Sequence, residues 1–69
     1  MAPKEGRYNV IVEGNKLIYV EAHGQGNASI RFYNSIAQVT IPKWALERIG
    51  MPEYVVVRIE GDKLIIEPA

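Results

Sequence analysis

Residues 37–68 read AQVTIPKWALERIGMPEYVVVRIEGDKLIIEP and hold a strand, a short helix and a hairpin with almost no spare positions. Gln38-Val39-Thr40-Ile41 alternates polar and apolar side chains, the period of a strand with one buried face. Pro42 ends that strand and, having no N–H to donate and a φ already near the helical value, suits the first position of a helix. Lys43 to Ile49 continues with good helix formers, Gly50 stands where a helix closes on a left-handed residue, and Pro52 forbids continuation. A helix of about two turns is too short to be stable without tertiary packing. Tyr54–Glu60 and Lys63–Glu67 are β-branched or aliphatic runs joined by the turn formers Gly61-Asp62, which predicts a tight hairpin. Leu64-Ile65-Ile66 is apolar without alternation, the pattern of a strand covered on both faces.

Working outward, Ala28–Tyr33 predicts another strand, with Ile30 and Phe32 on one face and Arg31 and Tyr33 on the other. Asn34-Ser35-Ile36-Ala37 turns it into the strand at Gln38–Ile41. Upstream, Tyr8–Val12 and Lys16–Ala22 form a hairpin about Glu13-Gly14-Asn15. Residues 1–7 are a loose lead-in, and 23–27, with two glycines and no apolar anchor, are a linker. Glu13–Ala22, EGNKLIYVEA, matches Glu60–Ala69, EGDKLIIEPA, without a gap. Internal duplication and convergence through turn chemistry both account for that match.

Length and charge bound the function. The chain has 69 residues and no cysteine, so it is at most one domain, without a disulfide. A domain this small buries only about 60% of its unfolded surface, and a hydrophobic fraction of 48% points to a core completed between subunits. Four cations face three anions in residues 1–34, and four face five in 35–69, so neither half is basic. That argues against strong non-specific DNA affinity but leaves room for a local patch. No apolar run approaches a signal peptide or a bilayer span, and a cytoplasmic location is expected.

Catalysis is not expected. His23 is the only histidine, neither Ser29 nor Ser35 has an acidic partner at a recognisable spacing, and Gly24-Gln25-Gly26 lacks the third glycine and following helix of a phosphate loop. No cofactor or metal is implied, and His23 reads as an exposed loop residue.

The order strand, TIP, short helix ending in glycine, then a hairpin ending in KLIIEP resembles the swapped-hairpin DNA-binding domains of the AbrB, SpoVT and MazE group. Asn34-Ser35, Ala37 and the Val39–Pro42 run are similar to the MazE antitoxins, as is Gly61–Pro68. The resemblance covers about Ser29 to Ala69. It implies a mainly β fold with one short helix, a swapped-hairpin AbrB-like barrel formed by a homodimer over residues 28–69. The hairpin of residues 8–22 is then an addition to it. It also implies a small transcription regulator binding double-stranded DNA through Arg31, Tyr33, Asn34, Ser35, Gln38, Lys43 and Arg48, with phosphate contacts setting register and Arg, Asn and Gln reading base edges. Antitoxin members add a toxin as partner through a wrapping tail. With Ala69 the last residue, an autonomous repressor is the expected form, and a protein-interaction module using the barrel for dimerisation is the alternative. Gln38, Leu46 and Glu47 stand where AbrB-like members carry arginines. Each site residue also has a plain reading: Asn34 and Ser35 as turn formers, Arg31 as an exposed strand residue, Lys43 and Arg48 as a solvated helix surface. Trp44, Phe32, Tyr33 and Tyr54 serve either as packing or as stacking platforms.

Overall fold

The computed structural model describes residues 4–24 and 26–69; positions 1–3 of the expected lead-in and position 25 of the expected linker lie outside them. The elements run β1 (Gly6–Glu13), β2 (Lys16–Glu21), β3 (Ala28–Tyr33), β4 (Ile36–Val39), α1 (Lys43–Arg48), β5 (Val55–Glu60) and β6 (Lys63–Pro68). The fold is mainly β, 55% strand, with one short helix against a sheet curled into a half-barrel. No helix among the described residues is long and apolar enough to cross a membrane.

All strand pairs are antiparallel, and the spatial order is β4-β3-β1-β2-β6-β5. The first hairpin therefore occupies the middle of the sheet. The hairpins β3–β4 and β5–β6, which the sequence pattern groups into one cassette, flank it on either side and do not pair with each other. Alternation sends Tyr8 and Val10 of β1, Leu17 and Tyr19 of β2, Ala28 and Ile30 of β3, and Leu64 and Ile66 of β6 to the concave side, where all are buried. Ala45 of α1 and Ile49, the residue that caps its C-terminal end, lie four apart and so on one side, and they close this core from the open side.

The middle of the sheet has a local two-fold relation. The two matching ten-residue stretches superpose at a spacing of 47 positions, as Glu13 to Glu60 shows. On that spacing Leu17 corresponds to Leu64, Ile18 to Ile65 and Tyr19 to Ile66. Between β2 and β6 the observed partners are Leu17 with Ile66, Ile18 with Ile65 and Tyr19 with Leu64. Corresponding residues thus exchange across the seam, and the axis passes between Ile18 and Ile65. Hydrogen bonding repeats the relation: Ala22 N–H donates to the Arg7 carbonyl at 3.0 Å, and Ala69 N–H to the Tyr54 carbonyl at 3.0 Å. Both turns place glycine at the same positive φ, 63° at Gly14 and at Gly61, a conformation open to glycine at little cost.

Several boundaries differ from the sequence reading. The expected strand at Gln38–Ile41 is β4, shifted to Ile36–Val39, because Asn34 takes a positive φ of 52° and closes the turn within two residues. Ile36 and Ala37, expected in the turn, are therefore extended, opposite Tyr33 and Phe32. Pro42 caps the helix rather than opening it: its ψ of 144° is extended, and its carbonyl accepts from Ala45 and Leu46 at 3.0 and 3.1 Å. At the other end Gly50 N–H donates to Glu47 and Met51 N–H to Leu46, a Schellman closure with Gly50 at φ 90°. Leu64, Ile65 and Ile66 are all buried. β6 lies between β2 and β5, so its convex-side residue Ile65 is flanked by Ile18 and Arg58. Phe32 shares the face of Ile30 as its parity requires, but the core ends before it and half of it stays exposed.

Candidate nucleic-acid interface

The hairpin β3–β4 carries five of the seven residues proposed from the sequence. Strand parity turns Arg31 and Tyr33 away from the core, and the register sets Gln38 opposite Arg31 and Ile36 opposite Tyr33. Side chains directly opposite in an antiparallel pair share a face, so Arg31 and Gln38 form one cross-strand pair on the convex side. Asn34 and Ser35 make the tip beyond it. All five are exposed. Asn34 also holds the turn through its positive φ, a structural duty that does not consume its side chain. At the base of the hairpin Ser29 Oγ and Thr40 Oγ1 lie 3.1 Å apart, and Thr40 N–H donates to the Ser29 carbonyl at 2.9 Å, extending the ladder past β4.

Lys43 and Arg48 are exposed but stand at the two ends of α1. Five residues apart, they point about 140° from each other around the axis and do not share a face. Arg48 lies in the last turn, where a cation complements the helix dipole. Trp44, beside Lys43, is partly exposed, while Ala45 is the helix residue that packs fully inward.

One cation escapes the sequence reading. Arg7, on β1, is in register with Ser29 on β3 and faces the same convex side as Arg31. Glu5, Gly6, Arg7, Ser29, Ile30 and Arg31 line an open depression of ≈ 320 Å³ between the start of β1 and β3. The available signal was parity: Arg7 precedes the inward Tyr8. The pairing of β1 with β3, however, is not written in local pattern. Glu5 bends into the same region, its Oε2 accepting the Phe32 N–H at 3.1 Å, so the patch holds two cations and one anion. Among the described residues the ion pairs formed belong to Arg58, with Glu67 at 3.0 Å and Glu60 at 4.0 Å, which leaves Arg7 and Arg31 uncommitted.

His23 is exposed. Among the described residues no group of three or more His, Cys, Asp or Glu is placed to hold a metal ion.

Comparison with protein-family models, curated proteins and solved structures finds no match to this chain.

Proposed function

We propose that this chain is a sequence-specific DNA-binding protein, a small transcription regulator acting as a dimer. The observation that carries the reading is the β3–β4 hairpin, a two-stranded ribbon with the Arg31–Gln38 pair on its exposed face and a polar Asn34-Ser35 tip. A two-stranded ribbon fits the major groove, where arginine pairs with guanine O6 and N7 and glutamine with adenine N6 and N7. Arg7 beside the ribbon and Lys43 beyond it would meet phosphates and set the register. Two copies related by a two-fold axis would read two half-sites.

The test is fluorescence anisotropy with duplex DNA at about 50 and 200 mM salt, a range over which phosphate contacts weaken steeply. Salt-sensitive binding that Arg31→Ala reduces is expected. Absence of binding at the lower salt sinks the proposal.

One observation favours a second reading, a protein-interaction module or antitoxin component in which the barrel serves mainly for dimerisation. Charges balance at 8 and 8, and large exposed apolar side chains stand on the ribbon itself, at Phe32, Tyr33 and Ile36, as well as on β5 and the segment before it, at Met51, Tyr54, Val56, Val57 and Ile59. A protein that shows no DNA affinity but keeps its self-association would fit that account.

A further inference from the structure

The sheet has two free edges, and they are not alike. β4 is four residues long, with Gln38 in its middle. β5 is six residues long, Val-Val-Val-Arg-Ile-Glu, with four β-branched positions and no proline, lysine or bulge to blunt it. An edge of that kind is a template for another strand.

The local two-fold relation says what the β5 edge lacks. Its counterpart in the first hairpin is the outer edge of β1, which β3 covers at Gly6, Arg7 and Tyr8. Where that ladder stops, the Val10 N–H donates to Asn27 Oδ1 at 2.9 Å. Val57 corresponds to Val10 on the 47-residue spacing, and among the described residues no strand or side chain covers it. Concave side chains are more open on β5 than on β1: Val57 is 51% exposed against 7% for its counterpart Val10, and Ile59 is 57% exposed where its counterpart Val12 is half-buried.

We infer that a second copy of this chain covers the edge, β5 against β5 antiparallel about a two-fold axis at Val57. Main-chain geometry selects the register. The two-residue turn makes Glu60 and Lys63 a hydrogen-bonded pair, and Tyr54 offers its carbonyl to Ala69 on the β6 side. Alternation therefore turns the N–H and C=O groups of Val55, Val57 and Ile59 outward. A two-fold axis perpendicular to the sheet keeps concave side chains on the concave side, so it must pass through a single residue. Centred on Val57, it uses all three outward residues of each chain, sets Val57 against Val57 of the partner subunit and Val55 against Ile59 of the partner subunit. Centred on Arg58 it would oppose two guanidinium groups, and like charges directly opposite repel. Tyr54, 75% exposed, and Val56, 43% exposed, add apolar surface along the same edge.

The resulting twelve-stranded assembly leaves both β3–β4 ribbons at its outer ends. It rests on the dimer named in the proposed function and supplies its interface; mass is read without DNA and duplex binding by anisotropy, so a monomer that binds DNA and a dimer that does not are distinct outcomes.

Sedimentation of the wild-type chain at about 100 μM should give twice the 7.8 kDa chain mass. Val57→Lys should weaken self-association about 100-fold or more, through two like charges placed on the axis. Val57→Pro should do the same by removing an outward N–H that β6 does not use. Ile11→Lys, on the convex face of β1, should leave the mass unchanged. The chain has no cysteine, so Val57→Cys gives a unique thiol. Its Cα would lie about 5.5 Å from its symmetry mate, within the range of about 4.4–6.8 Å that a disulfide spans. Mild oxidation should link it, and Val56→Cys should stay unlinked. A single-chain mass for the wild type overturns the inference. So does a dimer that survives Val57→Lys in a folded protein, or one in which Val57→Cys does not cross-link.

Discussion

The Tyr19 hydroxyl donates to the Thr40 carbonyl at 2.8 Å, joining a fully buried side chain of central β2 to the segment that leads into α1. The bond fixes where the chain leaves the β3–β4 ribbon and lays the helix across the concave face. Tyr19→Phe keeps the ring packing and leaves the carbonyl without its donor, so a loss of about 1 kcal/mol is expected, measured by urea denaturation. A change below a few tenths would show that the clamp is not needed.

The same residue gives the fold an alkaline limit. Burial pushes the Tyr19 hydroxyl above its ordinary value of 10.0, because the phenolate would be stripped of water. In the unfolded chain the group ionises near its ordinary value, while the folded chain still holds the proton. The native state then binds more protons than the unfolded one, and stability falls as pH rises past about 10. Thermal midpoints taken from pH 8 to 11 should decline at the alkaline end, and Tyr19→Phe should flatten that decline.

Gly26 lies against the main chain of Tyr8. A Cβ added there would collide with the Tyr8 carbonyl oxygen and stand 2.8 Å from both its carbonyl carbon and its amide nitrogen. Backbone cannot step aside as a flexible side chain can. Gly26→Ala is expected to cost about 2–4 kcal/mol, whereas Gly24→Ala meets no atom within 4 Å and strains only its own φ of 105°. Thermal melts of the two variants should separate clearly; equal melts would mean that the loop relaxes away from β1.

At the ribbon, base reading and phosphate contact predict different signatures. Arg31→Ala should lose about tenfold or more on a preferred sequence and relax discrimination at one position. Lys43→Ala should weaken all duplexes alike and reduce the salt slope by about one. Arg48→Ala, at the far end of α1, should change neither. Titrations of one specific and one random duplex at several salt concentrations distinguish these outcomes.

What the chain's pattern discloses is local. The turns at Gly14 and Gly61, the stop at Pro42 and the close at Gly50 are decided by residues within a few positions of one another, and all appear where sequence reading puts them to within a residue or two. Parity likewise places Arg31 and Tyr33 on one face. Alternation says which way a side chain points but not which strand lies beside it. The neighbours of β1 and β2 therefore had to come from the structure, and with them the approach of Arg7 to Arg31. The same ignorance of neighbours made the first hairpin look like an addition to a cassette, when it is the centre of the sheet.

That central position also bears on how the chain reaches its fold. β1 and β2 emerge first and can close as a hairpin by themselves, yet their two outer edges wait for β3 on one side and β6 on the other. The β2–β6 seam joins Leu17 to Ile66 across most of the chain's second and third hairpins, so its loop closure comes before any contact that rewards it. Such separation slows folding. Until Lys63–Pro68 arrive, the apolar edge of β2 stays open in the nascent chain, and the rate at which those last six strand residues dock governs how long it remains so.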